Sequence, residues 1–181
     1  MKASESTYRT YARIAGFTFL FYIVSGITSL SLGSQSQFAD ALYLLQNVSA
    51  LVLGVALYML TRAYGPALAL LALTFRIMEA IHSESEIFFA AGSLLFCWLL
   101  LRGRLIPVLL AQLGVLASAL LVVILPLQLA GLFGGSMSWS ASVTWMVWLP
   151  MLVFEVTAAL WLMIKGVTIP AEKTSIPSGA D

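Results

Sequence analysis

Between Ile14 and Leu32 the chain carries no charged side chain, and a run of that length matches the roughly 20 apolar residues with which an α-helix crosses a bilayer. Further apolar runs follow at 41–61, 66–83, 87–101, 105–132 and 143–165, separated by short polar or glycine- and proline-containing connections. Backbone in hydrocarbon must satisfy its own hydrogen bonds, so runs this long read as helices. The expected fold is all-α: an integral membrane bundle of six transmembrane helices over 14–166, with a polar arm before it (1–13) and a polar tail after it (167–181). Composition agrees. Of 181 residues 61% are hydrophobic and 9% charged, against about 25% charged in soluble domains, which leaves no room for a separate soluble domain.

The first run follows Lys2, Arg9 and Arg13 as a secretory signal would, but it is longer than the roughly 7 to 15 residues of such a segment and lacks an Ala-x-Ala cleavage site. It reads as an uncleaved first span. Ser25, Ser29 and Gly33 recur along it at four-residue spacing beside Gly26 and Thr28, a pattern that lets another helix approach closely or supports a homo-oligomer. Asp40 suits the cap of the second helix, and Pro66 the first turn of the third. Gln46 and Asn47 place amides inside the second span, and Pro126 predicts a kink in the fifth, which also carries Gln128. Trp139, Trp145 and Trp148 read as an outer interfacial belt, Trp98 and Trp161 as an inner one. The tail, with Pro170 and Pro177, reads as disordered.

Orientation follows from the basic residues. With six spans, Lys2, Arg9, Arg13, Arg62, Arg102, Arg104, Lys165 and Lys173 all fall on one side and none on the other; the remaining one of the 9 is Arg76, inside a span. Basic loops face the cytoplasm, so both ends are expected there, in the cell's inner (plasma) membrane, with Asp40, Glu84 and Glu86 on the outer side. The net charge of +1 includes no polybasic tract, which argues against a nucleic-acid partner. The one cysteine, Cys97, excludes an internal disulfide and reads as a small buried hydrophobe.

Arg76 lies in the apolar stretch PALALLALTFRIMEAIHSESE. At about 100° per residue it shares a stripe with Glu79, Ser83 and Glu86, with His82 at the edge. An arginine at bilayer depth faces other helices or a wet cavity and takes an acidic partner, here expected to be Glu155. Counting about 1.5 Å of rise per residue from Pro66 and from Val143 puts Arg76 and Glu155 near the middle of a ~30 Å core. Ala158 and Ala159 beneath Glu155 invite close helix approach. Two acids beside one arginine leave a surplus negative charge, balanced by a proton on one glutamic acid or by a further cation.

The segments YARIAGFTFLFYIVSGITSL, ALLALTFRIMEA, LLRGRLIPVLLAQLG and FEVTAALWLMIKGV together resemble the bacterial and archaeal membrane family of domain of unknown function 4386. The most specific parts are Arg76 with Glu79, and Glu155 followed by Trp161 and Lys165 to Val167. The resemblance implies a six-span helical protein without an assigned activity, and this chain shortens to SESE the stretch that members carry between the third and fourth spans.

Three functional readings follow. In the first, the charges only lock the bundle of a structural or assembly subunit of a membrane complex. In the second, Arg76, Glu79, Glu155, Gln46, Asn47, His82 and Gln128 line a pathway for a ligand or ion, with a glutamate carrying a proton and Arg76 holding an anionic group; the substrate is not legible. The third is an intramembrane metal-dependent enzyme built on Glu79-x-x-His82. Since His82 is the only histidine, a three-histidine zinc site or a paired Glu-x-x-His di-iron site cannot form within one protomer. No cofactor and no catalytic residue are expected.

Overall fold

The computed structural model describes residues 2–32, 36–82, 85–132 and 142–168. They form six α-helices: α1 (Lys2–Leu32), α2 (Gln37–Thr61), α3 (Pro66–Ile81), α4 (Ser85–Arg102), α5 (Val108–Leu129) and α6 (Ser142–Ile164), with no strand among the described residues. Ser6–Leu32, Gln37–Tyr64, Val108–Leu129 and Thr144–Ile164 are long and apolar enough to cross a membrane, the mark of an α-helical membrane protein. α3 and α4 are shorter, at 16 and 18 residues, or about 24 and 27 Å of rise. Gly33, Ser83, Glu84, Trp139, Pro170, Lys173 and Pro177, all singled out in the sequence, lie outside the described residues.

Several boundaries differ from the apolar runs for local reasons. The basic arm is part of α1, since no glycine or proline interrupts the chain before Gly16, and Tyr8 and Tyr11 pack on the core. α2 starts at Gln37 after Ser36, so Asp40 sits inside its first turn, where a negative charge favours the helix dipole. Pro66 occupies the first turn of α3 as expected. α5 starts only after Pro107 and ends at Leu129, which leaves Pro126 in its last turn. Pro150 lies inside α6 and was not anticipated; its missing N–H leaves the Met146 carbonyl without its usual partner.

Each helix packs against its neighbours in sequence, and α6 packs against α1. The six therefore close into a ring of antiparallel neighbours, as short connections dictate. Arg62, Arg102, Arg104 and Lys165 meet the start of α1 at one end of the ring, while Asp40 and Glu86 lie at the other. Leu53, Leu57, Phe96, Leu121, Met151 and Phe154 fill the interior, whereas Phe17, Val24, Leu44, Leu70, Leu109 and Met146 are exposed on the outside. Helices that are apolar on both faces suit a lipid surround. The closing seam is tight: a Cβ at Gly16 would lie 2.6 Å from the Ala159 carbonyl oxygen, so Ala159 does admit a neighbouring helix, and that helix is α1.

Candidate functional site

α3 carries the charged centre, and its neighbours leave space for it. A Cβ at Gly54 of α2 would stand 3.0 Å from Arg76 Cβ, and one at Gly92 of α4 would stand 3.3 Å from the Ala72 carbonyl oxygen. With glycine on both sides, α3 sits close enough for Arg76 to be 1% exposed. Its Nη1 donates to Glu79 Oε2 at 2.7 Å and its Nη2 to Ser93 Oγ at 3.2 Å. Its guanidinium carbon lies 4.8 Å from the centre of the Phe89 ring, a cation–π geometry, and its Nε has no hydrogen-bond partner.

The expectation that Arg76 pairs with Glu155 is therefore corrected. Glu79 stands three residues on, on the same helical face, and reaches the guanidinium within α3 itself. Tyr22 of α1 donates to the other oxygen, Glu79 Oε1, at 2.8 Å, so both oxygens of Glu79 are engaged. Glu155 is 5% exposed, and its Oε1 has no hydrogen-bond partner.

Beside this cluster lies a cavity of about 220 Å³. Glu79, Glu155 and Tyr22 line its deep end, Phe89, Trp148 and Leu152 its walls, and Gln46, Tyr43, Glu86 and Trp145 the part nearer the acidic end of the ring. On α6 the lining residues 145, 148, 149, 152 and 155 form one helical face, which spans about 15 Å of depth. A Cβ at Gly26 would lie 2.9 Å from Gln46 Nε2, so the missing side chain makes room for that amide at the wall. The aromatic rings pack on one another: Tyr22 stacks on Phe89 at 6.3 Å, and Phe89 meets Trp148 at 5.4 Å.

The structure thus brings Gln46, Glu79 and Glu155 to one cavity and sets Arg76 behind Glu79, outside the lining. That position, with both amino groups bonded and Phe89 over the guanidinium, does not offer Arg76 to an anionic ligand. His82 is exposed and caps α3 in extended backbone, its ring 5.3 Å from Phe88. α3 ends at Ile81, so the expected stripe through Ser83 and Glu86 is broken; Glu86 reaches the cavity from α4 instead. Asn47 is half-buried and Gln128 buried, neither lining the cavity. Trp145 and Trp148 belong to the cavity wall as well as to one end of the ring. Tyr22, Ser93 and Phe89 were not read from the sequence, since hydroxyls and rings on apolar helices break no pattern. No group of three or more His, Cys, Asp or Glu that could hold a metal ion occurs among the described residues.

No curated protein and no solved structure matches the chain. Residues 82–166, slightly under half of the chain, match the family model described as Domain of unknown function (DUF4386), and with that match the family resemblance carried by LLRGRLIPVLLAQLG and by Glu155, Trp161 and Lys165 is borne out.

Proposed function

We propose that the chain is a six-span, transporter-like or small-ligand-binding protein of the cell's inner membrane, with both ends in the cytoplasm and the cavity open to the outer side. The observation that carries this reading is the cavity itself, which runs from the acidic end of the ring to a buried carboxylate with an unpartnered oxygen. A polar group at that depth is costly unless something occupies it. The one-sided placement of Arg62, Arg102, Arg104 and Lys165 supports the orientation.

The locking role also has support, confined to one half of the cluster. Arg76 and Glu79 are bonded to each other and held by Ser93, Tyr22 and Phe89, which ties α1, α3 and α4 together. The two readings therefore divide between the two acids: Glu79 fixes the bundle, and Glu155 faces the guest.

Water access tests the proposal. In a Cys97→Ala background, Leu152→Cys on the cavity wall is expected to react with a small membrane-impermeant thiol reagent applied from outside, while Phe154→Cys in the core is not. Protection of Leu152→Cys from both sides would show a sealed bundle and overturn the reading.

A further inference from the structure

We infer that the cavity accepts a small protonated amine with an aromatic or aliphatic body, its ammonium group donating to the carboxylate of Glu155. This rests on the reading of the cavity as a ligand site and names the chemistry of the guest.

The charge balance selects the sign. Arg76 is paired with Glu79 at 2.7 Å, so that couple is neutral, and Glu155 is the acid left to be balanced by a proton or by a cationic guest. The charged side chains on the cavity lining are Glu79, Glu86 and Glu155, and the one guanidinium nearby is turned away from the lining and bonded to Glu79 and Ser93. Asp40 at the same end adds to a negative field that would draw cations toward the mouth and repel anions.

The geometry selects the donor. Glu79 Oε1 already accepts from Tyr22 and Glu79 Oε2 from Arg76, whereas Glu155 Oε1 is buried without a donor. A buried acceptor gains most from an N–H, which a primary or secondary ammonium supplies and a quaternary one lacks. The walls select the body. Tyr22, Phe89, Trp148, Leu149 and Leu152 form a mainly apolar surface, suited to a hydrocarbon or ring and, through the aromatic faces, to a cation beside them.

The test compares four ligands that share a phenyl ring on the purified full chain in nanodiscs by isothermal titration: benzylammonium, benzyl alcohol, benzoate and benzyltrimethylammonium. Benzylammonium is expected to bind at least about tenfold more tightly than benzyl alcohol, as a charge-assisted hydrogen bond implies, and benzyltrimethylammonium to fall back toward the alcohol. Glu155→Gln should remove the preference for the cation while leaving the alcohol bound. The wild-type comparison does not depend on that variant folding. Equal binding of alcohol and ammonium, or a preference for benzoate, would overturn the amine assignment and leave a ligand cavity standing. Absence of binding by all of them would also overturn it, and labelling of Leu152→Cys would then show whether the cavity itself survives.

Discussion

Tyr22 and Glu79, 57 positions apart, are joined by a 2.8 Å hydrogen bond that crosses the ring from α1 to α3, past the intervening α2. The bond fixes the glutamate from the side away from its arginine. Loss of the donor leaves a charged oxygen short of a partner at a buried site. Tyr22→Phe keeps the stacked ring and removes only the hydroxyl, so a loss of about 1.5–3 kcal/mol is expected, read as a lowered thermal midpoint in detergent.

Arg76 and Glu79 are expected to behave as a unit. Arg76→Met alone should cost about 3–5 kcal/mol because it strands a buried carboxylate. Combined with Glu79→Gln, the loss should shrink by more than half. A thermodynamic cycle of the two single variants and the double measures the coupling; additivity would mean that the pair contributes nothing as a pair.

The two tight glycines of α1 should differ in tolerance. At Gly16 a new methyl meets the Ala159 carbonyl oxygen and the Met163 backbone nitrogen, at 2.6 and 2.9 Å, which cannot move without shifting α6. Gly16→Ala should therefore cost about 1–3 kcal/mol, the range for overpacking. At Gly26 the obstacle is the amide end of Gln46, a flexible side chain that can swing into the cavity, so Gly26→Ala should cost less than half as much. Parallel thermal denaturation of the two variants checks the order.

Arg104 offers a gain. It sits at φ 49° in the turn after α4, where Leu105 N–H bonds back to the Leu100 carbonyl at 3.0 Å, a helix ending in which glycine is the usual residue. The left-handed backbone costs a side-chain-bearing residue about 1–2 kcal/mol, part of which glycine returns through the unfolded chain's freedom. Arg104→Gly is expected to raise stability by about 0.5–1 kcal/mol, visible as a higher thermal midpoint.

Topology can be read with single cysteines in the Cys97→Ala background. Asp40→Cys and Glu86→Cys should label from outside intact cells, Arg62→Cys and Arg102→Cys only after the membrane is opened. Labelling of Arg62→Cys from outside would reverse the proposed orientation.

The helices were legible because a bilayer-length apolar run has one stable backbone solution, and their order around the ring because short connections force neighbours together. Rise per residue sets Arg76 and Glu155 at one level of the chain's helices, and Glu79, the acid bonded to Arg76, does line one cavity with Glu155. The partner of Arg76 was misread because two acids lay at similar depth and the choice turned on a side-chain reach of one helical turn. Tyr22 and Ser93 stayed hidden because a lone hydroxyl in an apolar helix looks the same whether it bonds its own backbone, as Ser25 does with Phe21 at 2.7 Å, or a residue on another helix. His82 was drawn into the site by its spacing from Glu79, yet α3 ends one residue before it, and the spacing loses its meaning where the helix stops.

The contact of Gly16 with Ala159 joins the two helices farthest apart along the chain, and this sets an order of assembly. During synthesis α1 enters the membrane with its groove empty, and the wall that bears Glu155 arrives last. Until α6 docks, Tyr22 and Glu79 face whatever occupies that gap. A slow or blocked arrival of α6 would leave an open arc of five helices with its polar interior turned toward lipid, a form that quality control in the membrane can recognise and that a second open arc could complete by exchanging its own α6.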